Sequence, residues 1–250
     1  MAKRSVAMIA DRKDVQGLIE ALKDKDRKGL ARMDAAQALG KIRDKSAVPA
    51  LIEALKGRSL DVQVAAARAL GEIRDKSAVP ALIEAFIKGR SLGVQIAASE
   101  SLGKIRDKSA VEALVQALKD QLPQVRVAAS ESLGEIRNEL AVPALLELLG
   151  DVDGHVINAA VSALSKFKLD GRAVEPLVKT LNSYPERVWG ITVAQIVVIL
   201  GKIGDERAVE PLAKLGLGCI PDLPWSRADD YTDVGALAQE AIVAIRARSD

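Results

Sequence analysis

The sequence predicts an all-α protein, a right-handed α-solenoid of about seven stacked helix pairs, on three observations. The thirteen residues IRDKSAVPALIEA at 42–54 return unchanged at 73–85. A Leu-Gly pair recurs at Leu39-Gly40, Leu70-Gly71, Leu102-Gly103 and Leu133-Gly134, then as Leu164-Ser165, Leu200-Gly201 and Ile242-Val243, at spacings of 31, 32, 31, 31, 36 and 42 residues. Only 2% of the residues are aromatic while 49% are hydrophobic, so the core is built from Leu, Ile, Val and Ala, which suits closely packed helices. A period in the thirties carried by apolar residues at helical spacing marks helix pairs that bury their faces only against neighbouring pairs.

The elements follow in order within one domain spanning 1–250. Residues 1–11, with the apolar run Val6 to Ala10, form an N-terminal cap. The repeats are 12–43, 44–74, 75–106, 107–137, 138–168, 169–203 and 204–250, the last ending in the polar RARSD. In each unit a first helix, A, is typified by AVPALIEAL, whose Leu51, Ile52 and Leu55 share one face. Ser46 is the expected N-cap, and Pro49 falls in the first turn, where a missing N–H costs nothing. The second helix, B, is typified by DVQVAAARALGEI, begun by Ser59 or Asp61, with Val62, Ala65, Ala66, Ala69, Leu70 and Ile73 on its buried stripe. Paired alanines recur in B at 35–36, 65–66, 97–98, 128–129 and 159–160. Together with the glycine, which has no Cβ, they predict that B helices approach one another more closely than the Leu-rich A helices do, placing B on the concave side.

AVPALIEAL followed by V-x-x-A-A-x-x-A-L-G-x-I resembles the HEAT-like repeat of the phycobilisome (PBS) lyase family, and the resemblance covers nearly the whole chain. It implies the solenoid. For function it implies a choice, because that family holds bilin lyase subunits, an iron hydroxylase and modules that only bind proteins.

Charge and composition exclude several classes. Lys and Arg number 36 against 34 acidic residues, so no global field draws the chain to polyanions. No apolar run reaches the length of a membrane helix, and the opening MAKRSVAMIADRKD is too short in apolar residues for a secretory signal, so a cytoplasmic protein is expected. The single cysteine, Cys219, forms no internal disulfide or cysteine zinc site and has no neighbouring histidine to activate it. His155 is the only histidine, so the several His-Glu pairs with which the hydroxylase relatives hold iron cannot be assembled. The DVDGH around it lacks the glycine and glutamate positions of a calcium loop, and Asp151 and Asp153 read as helix caps. Neither GxGxxG nor GxxxxGK[ST] occurs. Catalytic residues, metal and cofactor are therefore not expected, and the protein reads more as a non-enzyme than an enzyme.

On helix B the position after Leu-Gly reads Lys41, Glu72, Lys104, Glu135, Lys166, Lys202, which alternates in sign through the first four units. The position seven before the Leu, one of those followed for a basic track, reads Arg32, Gln63, Gln95, Arg126, Ile157, Val193. A phosphate track needs successive positive charges, so nucleic acid is not the expected partner. The repeated Arg43-Asp44, Arg74-Asp75 and Arg106-Asp107 read as inter-repeat ion pairs and caps.

Specificity is expected where the period fails. The insertions at 181–190 (LNSYPERVWG) and 216–234 both fall in A-to-B turns, and Tyr184, Trp189, Trp225 and Tyr231 lie in them with Pro185, Pro221 and Pro224. Rigid rings on scaffold loops are typical binding anchors. The same loops are equally open to a capping role, with Trp189 and Trp225 over Val193 and Val197 of the apolar helix ITVAQIVVILGKI. The expected function is a non-enzymatic protein-protein interaction scaffold. It holds another protein on its concave face or aromatic loop edge, through Tyr184, Trp189, Trp225 and Tyr231 with Arg126 and Glu131 as polar contacts. The resemblance implies the alternative, a bilin lyase-like subunit that attaches a linear tetrapyrrole to a phycobiliprotein cysteine; a purely structural or designed repeat protein is the third reading.

Overall fold

The computed structural model describes residues 6–11, 14–25, 29–89, 91–183, 190–216 and 234–249. Among them it is helical, without strands, and forms an α-solenoid of seven A/B helix pairs. The chain divides into two compact units, Met1–Asn138 and Glu139–Asp250.

In the first unit α1 (Val6–Asp11) packs on the first pair, α2 (Val15–Lys23) with α3 (Gly29–Ile42). The pairs α4 (Val48–Leu55) with α5 (Leu60–Ile73), α6 (Val79–Lys88) with α7 (Leu92–Ile105), and α8 (Val111–Ala117) with α9 (Pro123–Ile136) follow. The second unit holds α10 (Val142–Glu147) with α11 (Gly154–Leu164), α12 (Val174–Asn182) with α13 (Gly190–Ile203), and α14 (Val209–Gly216) with α15 (Val234–Ser249). One leucine per A helix (Leu18, Leu51, Leu82, Leu114, Leu145, Leu177, Leu212) and the leucine of each Leu-Gly pair are fully buried. The apolar α13 is covered by α12 and along its length by α15.

The closest packing is B against B, as the small residues predict. A Cβ built on Gly40 would stand 2.8 Å from Ala69 Cα, one on Gly71 2.9 Å from Ser101 Cα, and one on Gly103 3.0 Å from Ser132 Cα. In the second unit a Cβ on Gly201 would meet Ala241 Cβ at 2.9 Å. Backbone approaches backbone here, so a methyl group has nowhere to go unless the helices separate.

The turn from B to the next A is the most regular feature. Arg43, Arg74, Arg106 and Arg137 take the left-handed conformation at φ 61°, 58°, 58° and 55°, and each N–H donates to the buried leucine carbonyl four residues before. The equivalent residue ahead of α14 is Gly204, at φ 77°. The aspartate that follows then caps a single 3-10 turn: Asp44, Asp75 and Asp107 accept from the N–H of Ser46, Ser77 and Ser109 at 2.8–2.9 Å. Ser46 is thus the capped residue and Asp44 the cap, contrary to the sequence expectation. Hydrogen bonding begins a turn before α4, and a carboxylate two residues back reaches the free N–H. Pro49 sits in the first turn of α4 as expected, and Asp153 caps α11 through the His155 N–H at 2.8 Å.

Three substitutions test these contacts. Gly71→Ala is expected to cost about 1–3 kcal/mol in urea unfolding because it overpacks the α5/α7 contact. Gly150→Ala, where a Cβ meets nothing within 4 Å, is expected to stay within about 0.5 kcal/mol of wild type. Arg74→Gly is expected to raise the melting temperature. It removes a left-handed penalty of about 1–2 kcal/mol against an entropic cost of about 0.5–1 kcal/mol.

Candidate functional site

The solvent-facing stripe of the B helices in the first unit is written in three rows, one side chain per helix in each. Positions four apart lie on one helix face, one turn above another. The first row is apolar and half-buried: Met33, Val64, Ile96, Val127. The second is polar: Gln37 and Arg68 on α3 and α5, Glu100 and Glu131 on α7 and α9. The third is Lys41, Glu72, Lys104, Glu135.

The third row is a cross-helix ion-pair chain. Glu72 accepts from Lys104 Nζ at 2.7 Å and from Arg43 Nη2 at 2.9 Å, and Glu135 is held by Arg106. Hydrogen bonds from Lys104 first and Arg43 second hold the Glu72 carboxyl below its ordinary range. Within the row Lys104 and Glu72 neutralise one another across α5 and α7, arginines of the turns add to the two glutamates, and with the signs alternating the row forms no positive track. A second set links the turns, Lys45 to Asp75 and Lys76 to Asp107, each at 3.3 Å.

The residues seven before each Leu have another task. Arg32 donates to the Leu22 carbonyl, Gln63 to Gly57, Gln95 to Phe86 and Arg126 to Asp120 at 2.8 Å. Each ties the start of a B helix to the carbonyl end of the A helix before it. The Arg126 guanidinium, expected to face a partner, is thus spent at least in part on the α8–α9 turn, while Glu131 is exposed on α9. Tyr184, Trp189, Trp225 and Tyr231 lie outside the described residues, as does Cys219. Val193 and Val197, the proposed floor for the capping reading, are buried.

Sequence reading missed the serines. Ser99, Ser101, Ser130 and Ser132 are buried within the B helices. Ser101 Oγ reaches the carbonyl of Ala67 on α5 at 2.8 Å. Ser132 Oγ donates to the Ser99 carbonyl at 2.8 Å, and Ser99 Oγ lies 3.1 Å from both the Ala128 carbonyl and Ser132 Oγ. The signal was the repeated Ser-Glu-Ser where earlier units have alanines, a hydroxyl small enough to sit at the close contact and still bond across it.

Between α3 and α5 the stripe opens into a groove of about 690 Å³. Gly40, Ala65 and Ala69 form its floor, Met33 and Val64 its apolar walls, and Lys41, Asp61, Arg68 and Glu72 its charged rim. A second groove of about 550 Å³ lies in the other unit between α10 and α12, with Leu149, Ile157 and Thr180 inside and Glu147, Arg172, Glu175 and Lys179 around it. Among the described residues no three His, Cys, Asp or Glu side chains converge to hold a metal ion, and no helix is long and apolar enough to cross a membrane.

The chain matches the model for HEAT repeats over residues 48–121 and 111–191, and that for the PBS lyase HEAT-like repeat over 31–57 and 194–215. No curated protein sequence matches. Among solved structures, a chain from the complex of CpcE and CpcF of phycocyanin lyase from Nostoc sp. PCC7120 is 26% identical, with 92% of this chain and 94% of that one covered at a TM-score of 0.56. YibA of E. coli is 19% identical over 98% of both chains, TM-score 0.57. An engineered protein is 23% identical over 96% of this chain and 70% of its own, TM-score 0.58. The last two likenesses speak to fold alone.

The capping carboxylates of the turns set the acid limit of the fold's stability. Asp44, Asp75, Asp107 and Asp170 are held below their ordinary values chiefly by hydrogen bonds from the residue two ahead, and Asp205 is lowered to about 2 by Arg207. Their stabilisation is complete above the unfolded carboxylate range and is lost as pH falls through the lower folded values. The urea midpoint is expected to fall steadily from about pH 4.5 toward pH 2. Glu72→Gln is expected to flatten the upper part of that slope while costing less than about 1 kcal/mol at pH 7, since the pair is partly exposed.

Proposed function

Because the chain belongs to the HEAT-repeat family, we propose that it is a non-enzymatic scaffold that docks another protein. The observation that carries this reading is the B-helix stripe. Four helices present in-register rows of half-buried apolar and exposed polar side chains, and at α3/α5 those rows open into a groove with an apolar floor and a charged rim. Partly exposed aliphatic side chains ringed by polar ones are the composition of a protein contact surface. Glu131 on α9 belongs to that stripe. The anchors we assign to the loop edge are Tyr184, Trp189, Trp225 and Tyr231, all within the two insertions that lengthen A-to-B turns. A cytoplasmic setting goes with this reading.

The likeness to the phycocyanin lyase chain favours one second reading. That relative is matched across nearly its full length, and it is found in a complex of two differently named chains. In this reading the chain is a bilin lyase-like subunit whose partner is a companion subunit or a phycobiliprotein, with a linear tetrapyrrole as the transferred group.

Affinity capture from the native lysate, compared between wild type and a variant with Tyr184, Trp189, Trp225 and Tyr231 all changed to Ala, separates the sites once circular dichroism shows both to be helical. A protein retained by wild type and lost by the variant is the expected result, and equal retention moves recognition to the B-helix stripe. No retained protein, together with a visible absorption change on titrating a linear tetrapyrrole, would replace the scaffold reading with the lyase one.

A further inference from the structure

The α3/α5 groove differs from the rest of the stripe in its charge. In the second row α3 and α5 carry Gln37 and Arg68, whereas α7 and α9 carry Glu100 and Glu131. Lys41, one turn beyond Gln37 on α3, is exposed and lines the same groove as Arg68. Neither cation has a hydrogen-bond or ion-pair partner among the described residues. Glu72, a lining carboxylate one turn after Arg68 on α5, is already held by Arg43 and Lys104. The other lining carboxylate, Asp61, lies seven residues before Arg68 on α5, about 10 Å away along the helix at a rise of about 1.5 Å per residue.

The opposite end of the groove is aliphatic. Met33 and Val64 line it, and the exposed Leu30 and Leu60, at 66% and 43%, precede them on the same two helices. The floor is low because Gly40 and the alanines keep the two helices close. From Val64 to Arg68 is one turn, about 6 Å, and from Met33 to Lys41 is two turns, about 12 Å. An extended chain advances about 3.3–3.6 Å per residue, so about two to four residues cover that interval.

We propose that the α3/α5 groove receives an extended acidic peptide segment in which an aliphatic side chain and a carboxylate stand about two to four residues apart. The aliphatic group lies against Met33, Val64, Leu30 and Leu60, and the carboxylate sits between Lys41 and Arg68. Uncommitted cations beside an apolar floor attract a carboxylate and exclude a basic residue, so the groove selects by charge as well as by burial. The proposal rests on the protein-binding reading above and names the partner chemistry for one part of the stripe.

The test uses fluorescein-labelled decapeptides carrying Leu-Leu-Gly-Glu-Glu or Leu-Leu-Gly-Lys-Lys between Gly-Ser flanks, titrated with the full chain at 50 mM and 200 mM salt and read by anisotropy. The acidic peptide is expected to bind at least tenfold more tightly than the basic one. Lys41→Glu with Arg68→Glu is expected to weaken it at least tenfold and to improve the basic peptide, with helicity unchanged, while Glu100→Gln leaves both unchanged. Equal binding of the two peptides, binding of neither, or indifference to the double charge reversal overturns the proposal. A labelled dT12 oligonucleotide bound as tightly as the acidic peptide also overturns it, replacing the peptide by a general polyanion, as does self-association that competes with the peptide. Failure here with a partner still captured from lysate removes only this groove, whereas failure of the capture removes the scaffold reading itself.

Discussion

Everything in this chain depends on how closely one B helix approaches the next. Gly40, Gly71, Gly103 and Gly201 stand where any side chain would strike the backbone or Cβ of the neighbouring helix. That contact brings Ser101 and Ser132 within hydrogen-bonding range of carbonyls one repeat away. It also lets Lys104 of α7 and Arg43 of the turn after α3 meet on Glu72. A wider spacing would open both networks at once and leave buried hydroxyls to find partners only within their own helices.

In the first unit the two kinds of turn hold that spacing in register by different means. From B to A, a left-handed arginine and a capping aspartate end one helix and start the next within three residues. An arginine is an unusual choice for a left-handed site, where glycine costs less, as at Gly204. At Arg43 and Arg106 the side chain returns something, since each reaches a glutamate on the next B helix. From A to B, a long polar side chain on the B helix reaches back to the A-helix carbonyls. With these turns closed by their own hydrogen bonds, the stripe facing solvent carries little of the turn geometry. The second row, Gln37, Arg68, Glu100 and Glu131, is a place where units with nearly the same packing letters differ from one another.

Function stands on a different footing from fold. The letters shared between repeats carry packing, and packing is common to every protein of this architecture. What distinguishes this chain lies in the letters that vary at fixed positions and in the two lengthened turns. The groove at α3/α5 exists because Met33 and Val64 flank a floor of glycine and alanine.

The sequence by itself determined the helix pairs, their number, the buried leucines, the close B–B contact and the mixed charge of the exposed row. These follow from periodicity and from residue size, which act locally and repeat from unit to unit. Only the tertiary structure decided what the polar letters do. Asp44 rather than Ser46 is the cap because a 3-10 turn precedes the helix. Arg126 turns back to the Asp120 carbonyl although its place in the pattern had set it among surface contacts. Ser99 and Ser101 look like ordinary helix serines until the neighbouring helix supplies their acceptors. A polar side chain's role is set by the partner within about 3 Å. For Asp44 and Arg126 that partner is a nearby backbone group exposed by the turn's geometry, and for Ser99 and Ser101 it lies a repeat away, at a distance the pattern alone does not give.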